Sequence, residues 1–168
     1  MISKGNVRGK TAFRLTPSGQ YTTIAQFVPT SAVRDLPANQ LALGPDSFFY
    51  GVTEKSTIYR MTTSGKISLV ADLTKAFASQ PNCQTFQQKG YSRQPGGPLA
   101  IGGDGTLYGV SGPCIYSATT TGTVTLLGRA PGSAQTSPLM PTIGPDGNLY
   151  GTADYPYASP YVYEVVLK

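Results

Sequence analysis

Few side chains in this 168-residue sequence could do chemistry, and their types narrow what that chemistry is. There is no histidine. That removes the commonest general base and any Ser-His arrangement. The two cysteines, Cys83 and Cys114, belong to no C-x-x-C pair. Without histidine they are too few ligands for zinc. The sequence leaves two readings of them open: a disulfide tying a connector to a strand, or two separate thiols. Acidic residues number eight. Asp46, Asp104 and Asp146 fall in turns, leaving Asp35, Glu54, Asp72, Asp154 and Glu164. A glycosidase needs two carboxyl groups roughly 5–9.5 Å apart. Glu54 and Asp154 form a candidate pair, because both fall in loops after equivalent segments. One Asp per repeat is under-liganded for Ca²⁺. The expectation is therefore no metal, no cofactor and no catalytic residue.

These residues are placed by a repeat. Gly144-Pro145-Asp146-Gly147-Asn148-Leu149-Tyr150-Gly151 has two further copies, Gly44-Pro45-Asp46-Ser47-Phe48-Phe49-Tyr50-Gly51 and Gly102-Gly103-Asp104-Gly105-Thr106-Leu107-Tyr108-Gly109. Asp-Gly between short apolar runs predicts a hairpin, since Gly takes positive φ without steric cost. Ser47 replaces Gly in one copy, which predicts a different turn there. An Asp in such a turn accepts backbone N–H groups as an Asx-turn, and Tyr50, Tyr108 and Tyr150 occupy one repeated strand position that suits packing. A second hairpin follows the first in two of the copies, with turns at Gly65 and Gly122. Another, turning at Gly19, stands alone near the start, and Val162 to Lys168 begins a further copy. Apolar residues alternate with Thr or Ser around these turns, as half-buried strands require.

The unit is thus four strands, A to D. The chain reads C-D over 11–27, a repeat over 41–73, a repeat over 99–128 and a partial repeat over 141–168. Self-similarity of this kind predicts an all-β fold: a β-propeller of about three four-stranded antiparallel repeats in one domain, 1–168. A β-sandwich or β-solenoid is the competing architecture. Closure is expected either as a small monomeric ring or by homo-oligomerisation, since open sheet edges are an aggregation liability.

The run Gly-x-Asp-Gly-x-Leu-Tyr-Gly, an apolar-aromatic strand, and then Thr-x-Ser-Gly resembles the GloVer-type tandem repeats of secreted and surface-anchored bacterial proteins. The resemblance implies a propeller-like fold and an extracytoplasmic setting. It supplies no catalytic residue.

The surroundings fit a turn-rich β-protein. Charged residues make up 12%, half the usual share of about 25%, and Gly and Pro number 20 and 14. The net charge of +5 is scattered beyond Lys4, Arg8, Lys10 and Arg14, which argues against a specific nucleic-acid footprint. No run is long and apolar enough to span a membrane, and no signal peptide is visible at the start. A–B and C–D turns read as tight. D–A connectors read as long, and B–C loops as variable. The longest connector, 74–98, opens with Lys75-Ala76-Phe77-Ala78, which suits a helical turn.

In a meander the long connectors share one face, and function gathers on variable loops held by a rigid frame. Candidate ligand-binding residues there are Arg34, Phe86, Tyr91, Arg93, Arg129, Tyr155, Tyr157 and Tyr161; Tyr suits sugars and proteins alike. The expected function is a non-catalytic module recognising a glycan or cell-surface polymer. The alternative is a structural or interaction protein, such as a phage virion appendage or surface-layer component, meeting neighbouring structural proteins. A glycoside-active enzyme stands third. The expected location is extracellular, cell-surface or virion.

Overall fold

The structure, a computed structural model, describes residues 11–27, 36–38, 40–80, 83, 87–88, 91–92, 98–130, 137–138, 140–155 and 158–167. Thr11–Leu15 (β1) and Tyr21–Gln26 (β2) form a two-stranded sheet. Ala42–Leu43 (β3), Phe49–Val52 (β4), Thr57–Met61 (β5) and Ile67–Asp72 (β6) form a four-stranded antiparallel meander. The helical turn Leu73–Ala76 (α1) follows, capped by the Asp72 carboxylate accepting from the Lys75 N–H at 3.2 Å. Gln87–Gln88 (β7) and Tyr91–Ser92 (β8) pair within the long connector. The second meander is Ala100–Ile101 (β9), Leu107–Ser111 (β10), Cys114–Ala118 (β11) and Val124–Arg129 (β12). The last sheet has Ser137–Pro138 (β13) and Thr142–Ile143 (β14) in succession along one edge of Leu149–Tyr155 (β15), and Ala158–Val165 (β16) along the other. The expected A-to-D units are therefore present as an all-β, propeller-like series of blades.

Six hairpin turns share one hydrogen-bond frame. The N–H of Gly44 donates to the Phe48 carbonyl at 2.8 Å, and the N–H of Ser47 donates to the Gly44 carbonyl at 3.0 Å. The same pair of bonds closes 102–106 and 144–148 as A–B turns, and 16–20, 62–66 and 119–123 as C–D turns. This is a three-residue loop whose last residue sits in the left-handed region. Ser47 adopts φ 65°, against 85° and 82° for Gly105 and Gly147. The expectation of a different turn at Ser47 is corrected. The hydrogen-bond frame and the Asp46 carboxylate, accepting from the Phe48 N–H at 3.2 Å, hold the chain in the shared conformation despite the Cβ.

The B–C loop 53–57 also uses this frame, with Ser56 at φ 60°, and 111–114 is a two-residue turn. So in two blades the B–C loops are as tight as the turns opposite, and the D–A connectors alone elaborate that face. Parts of those connectors extend the blades inward. The Ala38 N–H donates to the Val52 carbonyl at 2.8 Å and the Glu54 N–H to the Leu36 carbonyl at 2.9 Å. Ser137 and Pro138 pair likewise with the end of β15.

The blades stack face to face through three apolar layers. Ala12, Ala25, Phe27, Tyr59 and Met61 lie between the first pair of sheets. Tyr50, Val52, Ile58, Leu73, Phe77, Leu107 and Tyr116 lie between the two meanders. Val110, Ile115, Leu149, Ala153 and Tyr163 lie between the second meander and the last sheet. Strand alternation sends Ile58 forward and Tyr59 back, so each blade serves two layers. The short strand β9 adjoins both β3 and β14, so the A strands run side by side along the inner rim.

A bulge makes the stacking specific. The registers of β5 with β6 and of β11 with β12 skip Val70 and Leu127, and the register of β1 with β2 skips Ile24. The skipped residue has no opposite number in its ladder. At Ile24 and Val70 the backbone carbonyl meets the turn glycine of the next blade: a Cβ on Gly65 would collide with the Ile24 carbonyl, and one on Gly122 with that of Val70. Gly19, in the first described sheet, has nothing within 4 Å.

Candidate functional site

The repeated Tyr-Gly pair of strand B serves a second tyrosine that sequence reasoning did not assign. Gly51, Gly109 and Gly151 lie opposite Tyr59, Tyr116 and Tyr163. A Cβ at Gly51 or Gly109 would stand 2.6 or 2.5 Å from the facing hydroxyl, and one at Gly151 would also collide. The missing side chain is thus the space in which the strand C tyrosine lies down. Burial pushes the Tyr163 phenol up to about 12, and moves Tyr59 and Tyr116 upward as well. The Tyr116 hydroxyl has no hydrogen-bond partner among the described residues. The signal was in the sequence as Ile58-Tyr59, Ile115-Tyr116 and Val162-Tyr163, each after a Tyr-Gly at varying distance.

The turn aspartates act as expected. Asp104 and Asp146 accept from the N–H of Thr106 and Asn148 at 2.9 and 3.1 Å, which helps hold both carboxyls below the usual range. For Asp146 the larger cause is the Tyr150 hydroxyl, donating at 2.7 Å. The Tyr50 hydroxyl donates to Asp46 at 2.6 Å, and its phenol is pushed up to about 12, first by burial and then by that carboxylate. In the last blade Tyr150 also reaches Glu164 at 3.0 Å, and the Asn148 amide bridges Asp146 and Glu164 at 3.0 and 2.9 Å. The Leu167 N–H donates to Asn148 Oδ1 at 3.0 Å, so this network fastens the end of the last strand. Tyr50 is fully buried, whereas Tyr108 and Tyr150 are half-buried.

Opposite the turns lies the connector face. Cys83 and Cys114 are disulfide-bonded, which settles the two readings in favour of the tie between connector and strand. The Ser111 hydroxyl, donating to the Cys83 carbonyl at 2.8 Å, is buried beside them. Leu73 and Phe77 of the helical turn pack in the same layer. Of the eight candidate binding residues, Arg34, Phe86, Arg93 and Tyr157 lie outside the described residues. Tyr91 and Tyr155 are placed by backbone alone, in β8 and at the end of β15. Arg129 is exposed at the end of β12, and Tyr161 is half-buried against the last apolar layer. Glu54 and Asp154 hold the same place, four residues past the repeated Tyr, and each backbone meets an incoming connector segment. Gly112 occupies that place in the middle blade. Among the described residues no group of three or more metal-ligating side chains converges, and no helix is long and apolar enough to cross a membrane.

No family model matches the chain, and no curated protein does. Solved structures do. Virginiamycin B lyase from Staphylococcus aureus matches at TM-score 0.56 and 17% identity, over 90% of this chain and 47% of its own. A streptogramin B lyase matches at 0.54 and 17%, over 93% and 48%. A luciferin-regenerating enzyme matches at 0.55 and 17%, over 97% and 54%. The chain thus spans about half the length of these propeller-like proteins, and at this identity the likeness establishes the fold. It also corrects two expectations. The reading as a non-catalytic glycan-recognition or structural module, and with it the reading as no enzyme, is overturned by neighbours that are named enzymes. The expectation took elaborated loops on a histidine-free frame as recognition surface. The same rigid frame carries catalysis equally well, because function belongs to the site grafted on the fold.

Proposed function

We propose that this chain is one arc of a propeller-type enzyme acting on a small molecule, with the substrate held on the connector face. The single observation that carries the reading is the match of nine-tenths of the chain to a lyase of this architecture. One solved form of that lyase is a catalytically inactive histidine-to-alanine variant with quinupristin. This chain has no histidine, so its acid–base groups are of another type. Glu54 and Asp154 fit the role. They share one register position on the connector face, where one carboxylate would take a proton from carbon while the other, as the acid, protonates a leaving oxygen. The equivalent position in the middle blade is Gly112.

The test is incubation of the protein with virginiamycin B, quinupristin and simple lactones, read by mass spectrometry. Elimination opens a ring with no change in mass, whereas hydrolysis adds one water. The reading expects conversion that falls at least about 100-fold in Glu54→Gln or Asp154→Asn. No conversion by folded protein, or variants as active as the parent, overturns it.

We also propose that the arc is completed into a closed ring, which would remove its open edges, and that it works in an oxidising, extracytoplasmic setting. The Cys83–Cys114 bond supports the latter, as does the GloVer-type resemblance of the repeat.

A further inference from the structure

We propose that the Cys83–Cys114 bond is a redox latch. Oxidised, it seats the long connector on the middle blade; reduced, it releases that connector while the blades stay folded. The repeat supplies the control. Cys114 stands immediately before Ile115-Tyr116, and the residues at its place before Ile58-Tyr59 and Val162-Tyr163 are Thr57 and Tyr161. Those two blades form the same ladder between strands B and C with no cysteine at that place. A blade therefore folds without the bond, and what the bond holds is the connector.

The other two connectors reach the end of strand B by backbone, through the Ala38–Val52 and Glu54–Leu36 bonds and through the pairing of Ser137 and Pro138 with β15. In the middle blade the hold is of another kind. Ser111, at the place of Thr53 and Ala153, donates its hydroxyl to the Cys83 carbonyl at 2.8 Å, and the disulfide fixes Cys83 to Cys114 beside it. Such a tie can be undone chemically where a backbone ladder cannot. A dithiol reductant gives up two electrons and two protons, becomes its own disulfide and leaves both cysteines as thiols. The start of the connector keeps its seat without the bond. Asp72 caps the helical turn, the Leu73 N–H donates to the Ser56 carbonyl at 2.9 Å, and Leu73 and Phe77 are buried in the apolar layer. Past Cys83, the next buried anchor among the described residues is Leu99. Release is therefore confined between Phe77 and Leu99. Both cysteines are buried, so a thiolate reaches the sulfurs only when the connector lifts, and the latch answers to local opening.

The consequence for function rests on the reading above: the connector face that would hold substrate is complete only in the oxidised chain. The latch itself is read without turnover, so either can fail alone. The test is nuclear Overhauser spectroscopy of the full chain before and after dithiothreitol, with thiol titration to show that both cysteines are free. Reduction is expected to abolish the contacts between Cys83 and Ser111, which are hydrogen-bonded in the oxidised chain. The cross-strand contacts of Gly109 with Tyr116 and the far-ultraviolet spectrum are expected to remain. Cys83→Ser with Cys114→Ser should show the reduced pattern with no reductant present. Cys83–Ser111 contacts that survive reduction, Gly109–Tyr116 contacts that vanish with them, or a bond that dithiothreitol opens only in unfolding concentrations of urea would each overturn the latch. A parent with no turnover would sink the catalytic reading and leave these contacts to decide the latch.

Discussion

The turn glycines of the C–D hairpins offer a controlled comparison. Gly19, Gly65 and Gly122 have φ of 82°, 87° and 101° and sit in turns with the same two backbone bonds. An alanine at any of them bears the left-handed strain of an L-residue, about 1–2 kcal/mol. At Gly19 nothing else changes, because no atom lies within 4 Å of the new Cβ. At Gly65 and Gly122 the Cβ lands on a backbone carbonyl of the preceding blade, Ile24 or Val70. A carbonyl cannot rotate aside as a side-chain tip can, so the two blades must separate locally. Overpacking of this kind costs about 1–3 kcal/mol more. Urea unfolding should therefore place Gly65→Ala and Gly122→Ala well below Gly19→Ala, with unchanged m-values. Equal losses at all three positions would refute the argument that each turn is seated on the bulge of the blade before it.

Three more outcomes follow from the geometry. Ser47→Gly should stabilise the chain by about 1 kcal/mol in the same assay, since it relieves positive φ, whereas Ser18→Gly, outside the left-handed position, should not. Stability should be full below pH 10 and fall above it. Tyr59, Tyr116 and Tyr163 ionise at higher pH folded than unfolded, so each removes about 1.4 kcal/mol per pH unit until its folded value is reached. Unfolding measured between pH 9 and 12 checks this, and Tyr116→Phe should flatten the slope. Finally, Cys83→Ser with Cys114→Ser should lower stability by roughly 3–4 kcal/mol, the chain-entropy value for a loop of this length.

The turns were legible because their chemistry is local: an Asp followed by a positive-φ residue announces itself in four letters. Ser47 shows the limit, since its turn is dictated by the hydrogen-bond frame and not by its own preference. The Gly51–Tyr59 and Gly151–Tyr163 pairs were not legible, because the spacing between them changes with the B–C loop and only strand register brings them together. Connector residues 36–38 and Ser137–Pro138 carry no alternation, and their strand-like pairing comes from the free edge they meet. The sequence left the pairing of Cys83 and Cys114 open because a 31-residue separation carries no register of its own, and the structure joins them. The shared position of Glu54 and Asp154 was legible from the repeat, and the structure adds that each backbone meets a connector segment there.

The central claim is that successive repeats stack as blades through defined layers. Nuclear Overhauser contacts across those layers test it most directly. The Phe27 and Tyr59 rings, from adjoining sheets, lie with centroids 5.1 Å apart, and Pro45 of one A–B turn lies against Gly105 of the next. The account expects cross-peaks for both pairs in the folded chain. Their absence, in a spectrum that still shows the hairpin contacts within each sheet, would contradict it.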